Sequence, residues 1–355
     1  MNGFFDKKFM SYAINLSRRN LGITAPNPVV GCVVVKEEKI ISTGVTAKDG
    51  RPHAEKIAID KVLDKSLLNG ATAYVTLEPC AHFGVTPPCV DELIKHRFSR
   101  VVIAVQDPDS RVDGKAIVKL KEAGIAVEVG VLESEAREIN RGFLKAKATK
   151  MPFVTLKIAT SLDGKIATAN FDSKWITNEK SRQFAHILRA QNDAILVGAN
   201  TVRKDNPSLD CRVAGLEEYS PKIVVISHKN NFDKNLKIFA NQKNQPIILS
   251  SESGVDLAQA LQELCSQGIN SVLVEGGSEI ATQFLKQNLV DELVWIRSSK
   301  IIGNDGIAAI SNLNCEKISQ AISQFSKKES RNFDDDIVET FSKKFCHPEQ
   351  SEGSR

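Results

Sequence analysis

The chain has 355 residues, of which 42% are hydrophobic and 25% charged, an ordinary composition for a globular protein that predicts two domains, with three still open. Its net charge of +4 is spread without a long basic run, which argues against nucleic-acid binding and suits a small anionic substrate. No apolar stretch reaches the ~18 residues of a membrane span. The N-terminus also lacks the basic head and apolar core of a secretory signal, so a cytoplasmic location is expected.

Residues 1–148 alternate between strand-like and helix-like segments, which predicts an α/β sandwich with helices covering a sheet. The predicted strands are residues 29–35, 39–44, 71–77, 100–105 and 125–130. The predicted helices are residues 53–69, 90–97, 113–123 and 134–147. A domain boundary is expected just before Pro152, so that a first domain over residues 1–148 is followed by a second over residues 152–341.

The alternation restarts after this boundary, which makes the second domain α/β as well. Its predicted strands are residues 153–159, 194–198, 222–227, 271–275 and 291–297, and its predicted helices are residues 179–190, 255–266 and 278–287. The Asp163-Gly164 pair between two β-prone runs predicts a hairpin. Residues 342–355 are polar and aperiodic, so we expect a disordered tail, in which the adjacent Cys346 and His347 would make poor metal ligands.

Three short motifs in the first domain carry histidine, cysteine and glutamate. Pro-His-Ala-Glu at 52–55 begins a predicted helix. Glu-Pro-Cys at 78–80 ends a strand and begins a second helix, and Pro-Pro-Cys at 87–89 begins a third helix. His53, Cys80 and Cys89 would provide three zinc ligands, and a catalytic zinc ion keeps its fourth position for water. Both cysteines are expected at helix N-termini, which favour thiolate. Glu55 would take the proton of that water and deliver it to a leaving amine, as in zinc nucleobase deaminases.

Other classes of zinc-binding protein are also compatible with these three motifs. A structural zinc site, in a module without enzymatic activity, would fill the fourth position with a protein ligand, and His82 is a rival for that role. An RNA adenosine deaminase would carry Cys-x-x-Cys, whereas eight residues separate Cys80 from Cys89 here. The seven cysteines are too scattered for a disulfide framework.

Residues 24–31, 52–55 and 78–89 resemble the deaminase domain of the bifunctional riboflavin-biosynthesis deaminase/reductase family. The resemblance implies a cytidine-deaminase-like α/β/α sandwich and a diaminopyrimidinone substrate that bears a phosphoribosylamino group. It also implies substrate contacts from Asn27, His82 and Asp107. One position departs from the family, because Val85 stands where a cation usually meets the substrate phosphate. Arg51 or Lys115 could replace that cation; otherwise the domain binds its substrate weakly.

The second domain gives fewer signals of its own. No Gly-x-Gly-x-x-Gly follows its first predicted strand, so a Rossmann dinucleotide site is not supported. Glu-Gly-Gly-Ser at 275–278 lies at a strand-to-helix junction, where it would form either an anion site or an ordinary turn. Four arginines flank the predicted strand 194–198, and they would bind phosphate or line a solvated face: Arg182, Arg189, Arg203 and Arg212.

Residues 157–165, 173–177, 188–190, 201–207 and 275–277 resemble the reductase domain of the same family, whose fold is similar to dihydrofolate reductase. The resemblance implies reduction of the ribosylamino group to ribitylamino by NADPH, with Lys157 and Glu275 as candidates for proton transfer. The implied NADPH contacts are Ala159, Trp175, Thr201, Asp205, Ser227, Gly277, Ser278, Glu279, Ile280, Ala281, Thr282 and Gln283. The implied substrate contacts are Ser173, Arg189, Leu209, Arg212 and Glu275. A second domain that only binds a nucleotide is the alternative, and a homo-oligomer remains open.

Overall fold

The structure is a computed structural model that describes residues 3–84, 87–241 and 244–344. The chain divides into two compact units. The first contains the residues up to Phe153 together with Leu261–Asn270, and the second contains Val154–Ala260 and the residues from Ser271 onward. The break after Phe153 lies beside the predicted boundary, but the grouping of Leu261–Asn270 with the first unit was not predicted. Within the described ranges, no helix is long and apolar enough to cross a membrane.

The first unit is a five-stranded sheet with helices packed on it. Its strands have the order β2-β1-β3-β4-β5; β1 is antiparallel to β2 and β3, whereas β3, β4 and β5 are parallel. In chain order the elements are α1 (Gly3–Ser17), β1 (Gly31–Lys36), β2 (Lys39–Val45), α2 (Ala54–Lys61), β3 (Thr72–Val75), α3 (Cys89–Lys95), β4 (Arg100–Ile103), α4 (Lys115–Glu122), β5 (Ala126–Val129), α5 (Glu133–Ile139) and α6 (Arg141–Thr149).

The five predicted strands of this unit are confirmed, whereas the predicted helices are partly wrong. The helix over 53–69 already ends at Lys61, because the Asp64 carboxylate accepts a hydrogen bond from the Ser66 N–H and begins a separate short 3-10 turn. The helix over 134–147 is divided at Asn140 into α5 and α6. Helix α1 was not predicted, although its buried residues belong to the core of the unit.

Two glycines let helices approach this sheet closely. A Cβ atom on Gly31 of β1 would lie 1.9 Å from the Ala13 carbonyl oxygen of α1, and one on Gly44 of β2 would lie 2.0 Å from the Ala54 carbonyl oxygen of α2. Any side chain at either position would therefore push a helix away. The Gly44 contact matters for the site, because it fixes the first turn of α2 against β2.

The second unit is built on an eight-stranded sheet with the order β10-β9-β8-β11-β6-β12-β15-β14. β10, β9, β8 and β11 are parallel to one another, β12 is parallel to β6, and β15 is antiparallel to β12 and β14. The elements are β6 (Phe153–Thr160), β7 (Lys165–Ala167), α7 (Glu179–Ala190), β8 (Ala194–Gly198), α8 (Ala199–Asp205), β9 (Lys222–Ser227), β10 (Ile247–Ser250), α9 (Leu257–Ser266), β11 (Ser271–Val274), α10 (Ser278–Lys286), β12 (Glu292–Arg297), β13 (Ile307–Ala308), β14 (Phe325–Phe333) and β15 (Asp336–Lys343).

The predicted hairpin at Asp163-Gly164 is wrong in its pairing. A turn is present, since the Gly164 N–H donates to the Ser161 carbonyl. However, β7 pairs with β13 rather than with β6. The reason is that β6 is an internal strand whose two edges are occupied by β11 and β12. The other predicted strands and helices of this unit are present to within two residues, whereas β10, β13, β14, β15 and α8 were not predicted.

A buried ion pair joins α1 to the sheet of the first unit. The Arg100 guanidinium donates to both Asp6 carboxylate oxygens, at 2.7 and 3.0 Å, and the Tyr74 hydroxyl donates to Asp6 at 2.8 Å. Only 4% of the Asp6 side chain is exposed. The hydrogen bond from Arg100 is the main cause that keeps the pKa of Asp6 below its usual value, against the opposing effect of burial.

We expect Arg100→Leu to destabilise this unit by about 3 kcal/mol, because it leaves the Asp6 carboxylate buried without its cation. Hydrogen exchange of the β3 and β4 amides would measure the loss as a lower free energy of opening. Arg137→Leu is the matched control; it removes an Arg137–Glu133 pair whose side chains are 51% and 46% exposed, so its effect should stay below about 0.5 kcal/mol. Equal effects of the two variants would contradict the prediction.

Candidate functional sites

The three predicted metal ligands converge in the first unit. His53 directly precedes α2, Cys80 lies in the loop after β3, and Cys89 is the first residue of α3. The His53 Nδ1 atom is 3.5 Å from Cys80 Sγ and 3.3 Å from Cys89 Sγ. All three ligand atoms lie within 4.8 Å of one another, which is close enough for one ion to contact them all.

The surroundings of Cys80 differ from the prediction. Cys80 does not begin a helix, because residues 76–84 form bends and irregular backbone. Instead, the Cys89 N–H at the start of α3 donates to the Cys80 sulfur at 3.2 Å. Both sulfurs therefore lie at the N-terminus of a single helix, α3. The hydrogen bond from the Cys89 thiol is the largest cause that lowers the pKa of Cys80 to about 4, with burial opposing it. Thiolate is thus favoured at Cys80, as a metal ligand requires.

Glu55 lies beside these ligands in the first turn of α2 and is 3% exposed. Burial is the main cause that raises its pKa to about 7, while the charge of His53 lowers it. Glu55 is not part of the converging ligand group. A buried carboxyl group with a pKa near neutrality is suited to accept and return a proton.

These residues fit a zinc ion in a catalytic arrangement. One imidazole and two thiols are a donor set typical of zinc, and catalytic sites use three protein ligands. Among the described residues, His82 does not join the group, so the structural alternative lacks its proposed fourth ligand. Cys346 and His347, which are expected to be poor metal ligands, lie outside the described residues.

The three predicted substrate residues of this unit occupy separate loops. The Asn27 Nδ2 atom donates to the Gly50 carbonyl at 3.1 Å. A side chain on Gly50 is prevented both by its φ of +79° and by Asn27, whose Nδ2 would lie 2.3 Å from the added Cβ. His82 Nδ1 is buried and has no hydrogen-bond partner among the residues that the structure describes. Asp107 is 7% exposed, and burial is the main cause that raises its pKa to about 6.

Sequence reasoning missed Glu78, which organises the loop after β4. Its carboxylate accepts hydrogen bonds from the backbone N–H of Asp107 at 3.3 Å and of Gly114 at 3.0 Å. It also accepts from the N–H groups of Ala116 and Ile117 in the first turn of α4. This one carboxylate therefore ties the end of β3 to the loop that carries Asp107. The signal was available, because Glu78 belongs to the Glu-Pro-Cys motif, but only Cys80 was interpreted.

The two candidate replacements for the missing cation differ in their surroundings. A Cβ atom on Gly84 would lie 3.3 Å from the Arg51 Nη2 atom, so this guanidinium lies against the loop that follows Cys80. The Lys115 Nζ atom donates to the Ser110 carbonyl at 2.8 Å. Val85 itself lies outside the described residues.

An ion cluster in the second unit joins three of the predicted reductase residues. The Arg189 guanidinium donates to the Glu275 carboxylate through Nε at 2.8 Å and Nη2 at 3.0 Å, and Lys157 Nζ is 3.6 Å from Glu275 Oε2. Burial alone would raise the pKa of Glu275, but the charges of Arg189 and Lys157 outweigh it and lower this pKa to about 2. Glu275 is therefore ionised and holds both cations in place.

The predicted contacts Leu209 and Arg212 lie in a short polar loop beside this cluster. Arg189 Nη1 donates to the Asp210 carbonyl at 3.1 Å, and Arg212 Nη1 donates to Ser208 Oγ at 2.7 Å. Leu209 is buried and has a φ of +56°. His186 was missed by sequence reasoning, although its Nε2 atom is 3.3 Å from Arg212 Nη2.

The Gly276–Gly277 turn before α10 lets the backbone lie close to neighbouring side chains. A Cβ on Gly276 would lie 2.6 Å from Ile280 Cβ, and one on Gly277 would lie 4.0 Å from Thr201 Oγ1. The structure thus places the predicted cofactor residue Thr201 beside Gly277. The Thr282 hydroxyl donates to the Ser278 carbonyl and accepts from the Ser311 N–H, which fixes the first turns of α10.

The remaining predicted cofactor and substrate residues have separate surroundings. Trp175 is 59% exposed and stacks under the Arg182 guanidinium at 4.4 Å. Ser227 ends β9, and its hydroxyl donates to the Lys229 carbonyl at 2.7 Å. Asp205 ends α8, where burial is the main cause that raises its pKa. Ala159 lies in β6, and Ser173 lies in the exposed loop before Trp175.

Comparisons with known proteins match both units. Residues 5–105 match the family described as the cytidine and deoxycytidylate deaminase zinc-binding region, and residues 152–339 match the RibD C-terminal domain. The riboflavin biosynthesis protein RibD of Aquifex aeolicus is 40% identical, over 94% of this chain and 97% of its own length. That of Escherichia coli is 37% identical, over 94% and 98%.

Solved structures agree with these matches. A structure of Acinetobacter baumannii RibD has 36% identity and a TM-score of 0.89, covering 97% of this chain and 100% of that one. A Thermotoga maritima structure has 35% identity and a TM-score of 0.87, with the same coverage. It is described as a diaminohydroxyphosphoribosylaminopyrimidine deaminase/5-amino-6-(5-phosphoribosylamino)uracil reductase.

Fold, ligand set and matches together define a zinc-dependent deaminase joined to a reductase. The chain belongs to the RibD family, and it is a bifunctional deaminase and reductase of riboflavin biosynthesis. The predicted fold class and the predicted cofactors, zinc and NADPH, are confirmed. The RNA adenosine deaminase and the second domain that only binds a nucleotide are thereby set aside.

We expect Cys89→Ser to lose bound zinc, because a hydroxyl replaces one of three ligands, while Glu55→Ala keeps it. Metal analysis of the purified proteins would measure both. Cys211→Ser, a buried cysteine of the second unit, is the matched control and should keep its zinc. Loss of zinc from Glu55→Ala would show that Glu55 is a ligand and would contradict the site as described.

Proposed function

We propose that the first unit deaminates 2,5-diamino-6-(5-phosphoribosylamino)pyrimidin-4(3H)-one. The second unit then reduces the ribosyl side chain of the product, 5-amino-6-(5-phosphoribosylamino)uracil, to ribityl with NADPH. The observation that carries this proposal is the convergence of His53, Cys80 and Cys89 beside the buried Glu55. The substrate is a small phosphorylated molecule. The enzyme acts in the cytoplasm and binds neither nucleic acid nor a membrane.

Deamination needs a water molecule, a proton acceptor and a proton donor. His53, Cys80 and Cys89 would hold zinc, which would lower the pKa of a coordinated water. Glu55 accepts the water proton as the C–O bond forms at the ring carbon. It then delivers that proton to the amino group as the C–N bond breaks and ammonia leaves. The buried Glu55 carboxyl group lies beside the ligands in the first turn of α2, where it is placed for both transfers.

Three side chains would orient the pyrimidine. Asp107, with a pKa of about 6, is mostly ionised at neutral pH and accepts hydrogen bonds from amino groups of the ring. The buried Nδ1 atom of His82 gains a partner when substrate is bound, which offsets the cost of its burial. The Asn27 side chain, already held by the Gly50 carbonyl, contributes a third contact.

Reduction needs a hydride and a proton at the same C=N bond. The open-chain form of the ribosylamino group presents that bond, and NADPH supplies the hydride to its carbon. Lys157 donates a proton to the nitrogen, which completes the ribitylamino group. Glu275 is ionised and so acts by holding Lys157 and Arg189 rather than as an acid.

The remaining predicted residues divide between cofactor and sugar phosphate. The Gly276–Gly277 turn and the first turns of α10 would receive the NADPH phosphates, since helix N-termini favour anions. The segment Gly277–Gln283 joins Ala159, Trp175, Thr201, Asp205 and Ser227 in this role. Arg189, Arg212, Ser173 and Leu209 would hold the sugar phosphate, for which arginine is well suited.

A coupled assay on the zinc-loaded protein tests this proposal. The phosphoribosylamino diaminopyrimidinone is supplied with NADPH, and ammonia release and NADPH oxidation are followed separately. In the unmodified protein, reduction should lag behind deamination. Glu55→Ala should lose deamination by at least about a hundredfold yet oxidise NADPH when the deaminated substrate is supplied. Lys157→Met should release ammonia normally while reduction falls by about a hundredfold.

The opposite pattern would overturn the residue roles. If Glu55→Ala lost reduction of pre-deaminated substrate as well, the two units would not act independently. If Lys157→Met still reduced at the normal rate, its role as proton donor would be wrong. Failure of the unmodified protein to release ammonia from this compound would overturn the proposed first substrate.

Arg51 is the cation that we propose for the substrate phosphate in the first unit, because it lies against the loop after Cys80. We expect Arg51→Gln to raise the KM of deamination about tenfold by removing a charge-assisted hydrogen bond, with little change in kcat. Lys115→Gln is the matched control, since Lys115 is the other candidate cation and begins α4 rather than lying against this loop. A larger effect from Lys115→Gln would assign the phosphate to that residue instead.

A further inference from the structure

The loop that carries Asn27 is held through its backbone at several points. The Asn140 side chain pairs with Val29, accepting from its N–H and donating to its carbonyl, both at 3.0 Å. The Thr24 hydroxyl donates to the Asn27 carbonyl at 3.1 Å. The Pro26 carbonyl, directly before Asn27, accepts from the Asn270 Nδ2 atom at 3.1 Å. The position of the Asn27 side chain therefore depends on these backbone contacts.

Asn270 comes from a distant part of the sequence, 244 residues after Pro26. It belongs to the segment Leu261–Asn270, which is grouped with the first unit. Leu261 and Leu264 of this segment are fully buried. Asn270 itself is 9% exposed, and its carbonyl accepts from the Phe153 N–H at 2.8 Å. The backbone of Asn270 is thus held by Phe153, and the segment that precedes it contains two buried leucines.

A second contact fixes the same point of the loop. Gly268 has a φ of +89°, and a Cβ atom there would lie 2.9 Å from the Pro26 Cβ atom. A side chain at this position would push against Pro26. The segment Leu261–Asn270 therefore supports Pro26 both by packing, through Gly268, and by a directed hydrogen bond, through Asn270.

We infer that Asn270 is a positioning residue of the deaminase site, supplied by the C-terminal half of the chain. Its amide fixes the Pro26 carbonyl and thereby sets the direction from which Asn27 meets the pyrimidine. This inference rests on the proposed function, in which Asn27 contacts the substrate. Asn270 does not touch the reacting atoms, so it acts on substrate binding and not on zinc or on proton transfer by Glu55.

Asn270→Asp in the full-length protein tests this role. The substitution keeps the size of the side chain but replaces the Nδ2 donor with an oxygen that faces the Pro26 carbonyl. The KM of deamination should rise on the order of tenfold, as for a lost hydrogen bond with an added repulsion. Zinc content, kcat of deamination and reduction of pre-deaminated substrate should be unchanged. Asn270→Ala, which removes the donor without adding charge, should raise the same KM about threefold.

Gln267→Glu is the matched control, because it makes the same amide-to-carboxylate change on an exposed side chain of the same segment. It should leave the KM of deamination unchanged. A double variant provides the readout that a merely structural role would not move. In an Asn27→Ala background, Asn270→Asp should raise the KM no further, because its effect passes through Asn27.

The outcomes distinguish a failure of the proposed function from a failure of the role of Asn270. If the unmodified protein does not deaminate the proposed substrate, the proposed function fails first. If it does, and Asn270→Asp leaves the KM unchanged, the inference alone is overturned. It is also overturned if zinc and both activities fall together, or if the effects of the Asn27 and Asn270 substitutions multiply in the double variant.

Discussion

Parallel strands that end at one edge of a sheet are the constraint on which both sites depend. In the first unit, β3 leads to Glu78 and Cys80, and its parallel neighbour β4 leads to Asp107. In the second unit, β8 leads to Thr201 and β11 leads to Glu275. Loops that follow the carboxyl ends of parallel strands meet at a common edge, which is where such sheets bind ligands. Residues far apart in sequence therefore assemble in each unit without a special connection.

The two sites use buried carboxylates in opposite ways. Glu55 and Glu275 are both enclosed, but their pKa values are about 7 and about 2. The difference comes from their neighbours. Glu55 has His53 and the Cys80 thiolate beside it, whose charges act on its pKa in opposite directions, so the cost of burying its charge prevails. Glu275 has two cations, and their attraction exceeds that cost. Burial thus dominates at Glu55, whereas at Glu275 the two cations stabilise a fixed negative charge.

The predictable part of these sites lies in short motifs, and the remainder lies in long-range contacts to the backbone. The spacing of His53, Cys80 and Cys89 was sufficient to predict the ligand group, because ligand type and spacing are local signals. Glu78, Asn140 and Asn270 were missed as positioning residues, because each one bonds to backbone groups of another element. Nothing in the neighbouring residues indicates such a partner.

The same distinction explains the errors in the fold. Strands β8 and β9 were predicted to the residue because they are apolar and nearly fully buried. Strand β14 was missed because its sequence, FSKKESRNF, is largely exposed and lacks an apolar face. The turn at Asp163-Gly164 was predicted from its residues, but its strand partner was not, since pairing depends on which edges of the sheet remain open.

The segment Leu261–Asn270 comes from the C-terminal half of the sequence but belongs to the first unit. A boundary near residue 150 divides the sequence motifs cleanly, yet the first unit also includes the fully buried Leu261 and Leu264 from beyond it. A deaminase fragment that ended near residue 150 would lose the Asn270 amide at Pro26. Joining the two activities in one chain raises the local concentration of the second site for the first product. The same fusion also supplies the Asn270 amide and the Gly268 contact at Pro26, so the deaminase depends on the second half of the chain for the placement of this loop as well as for its product's next step.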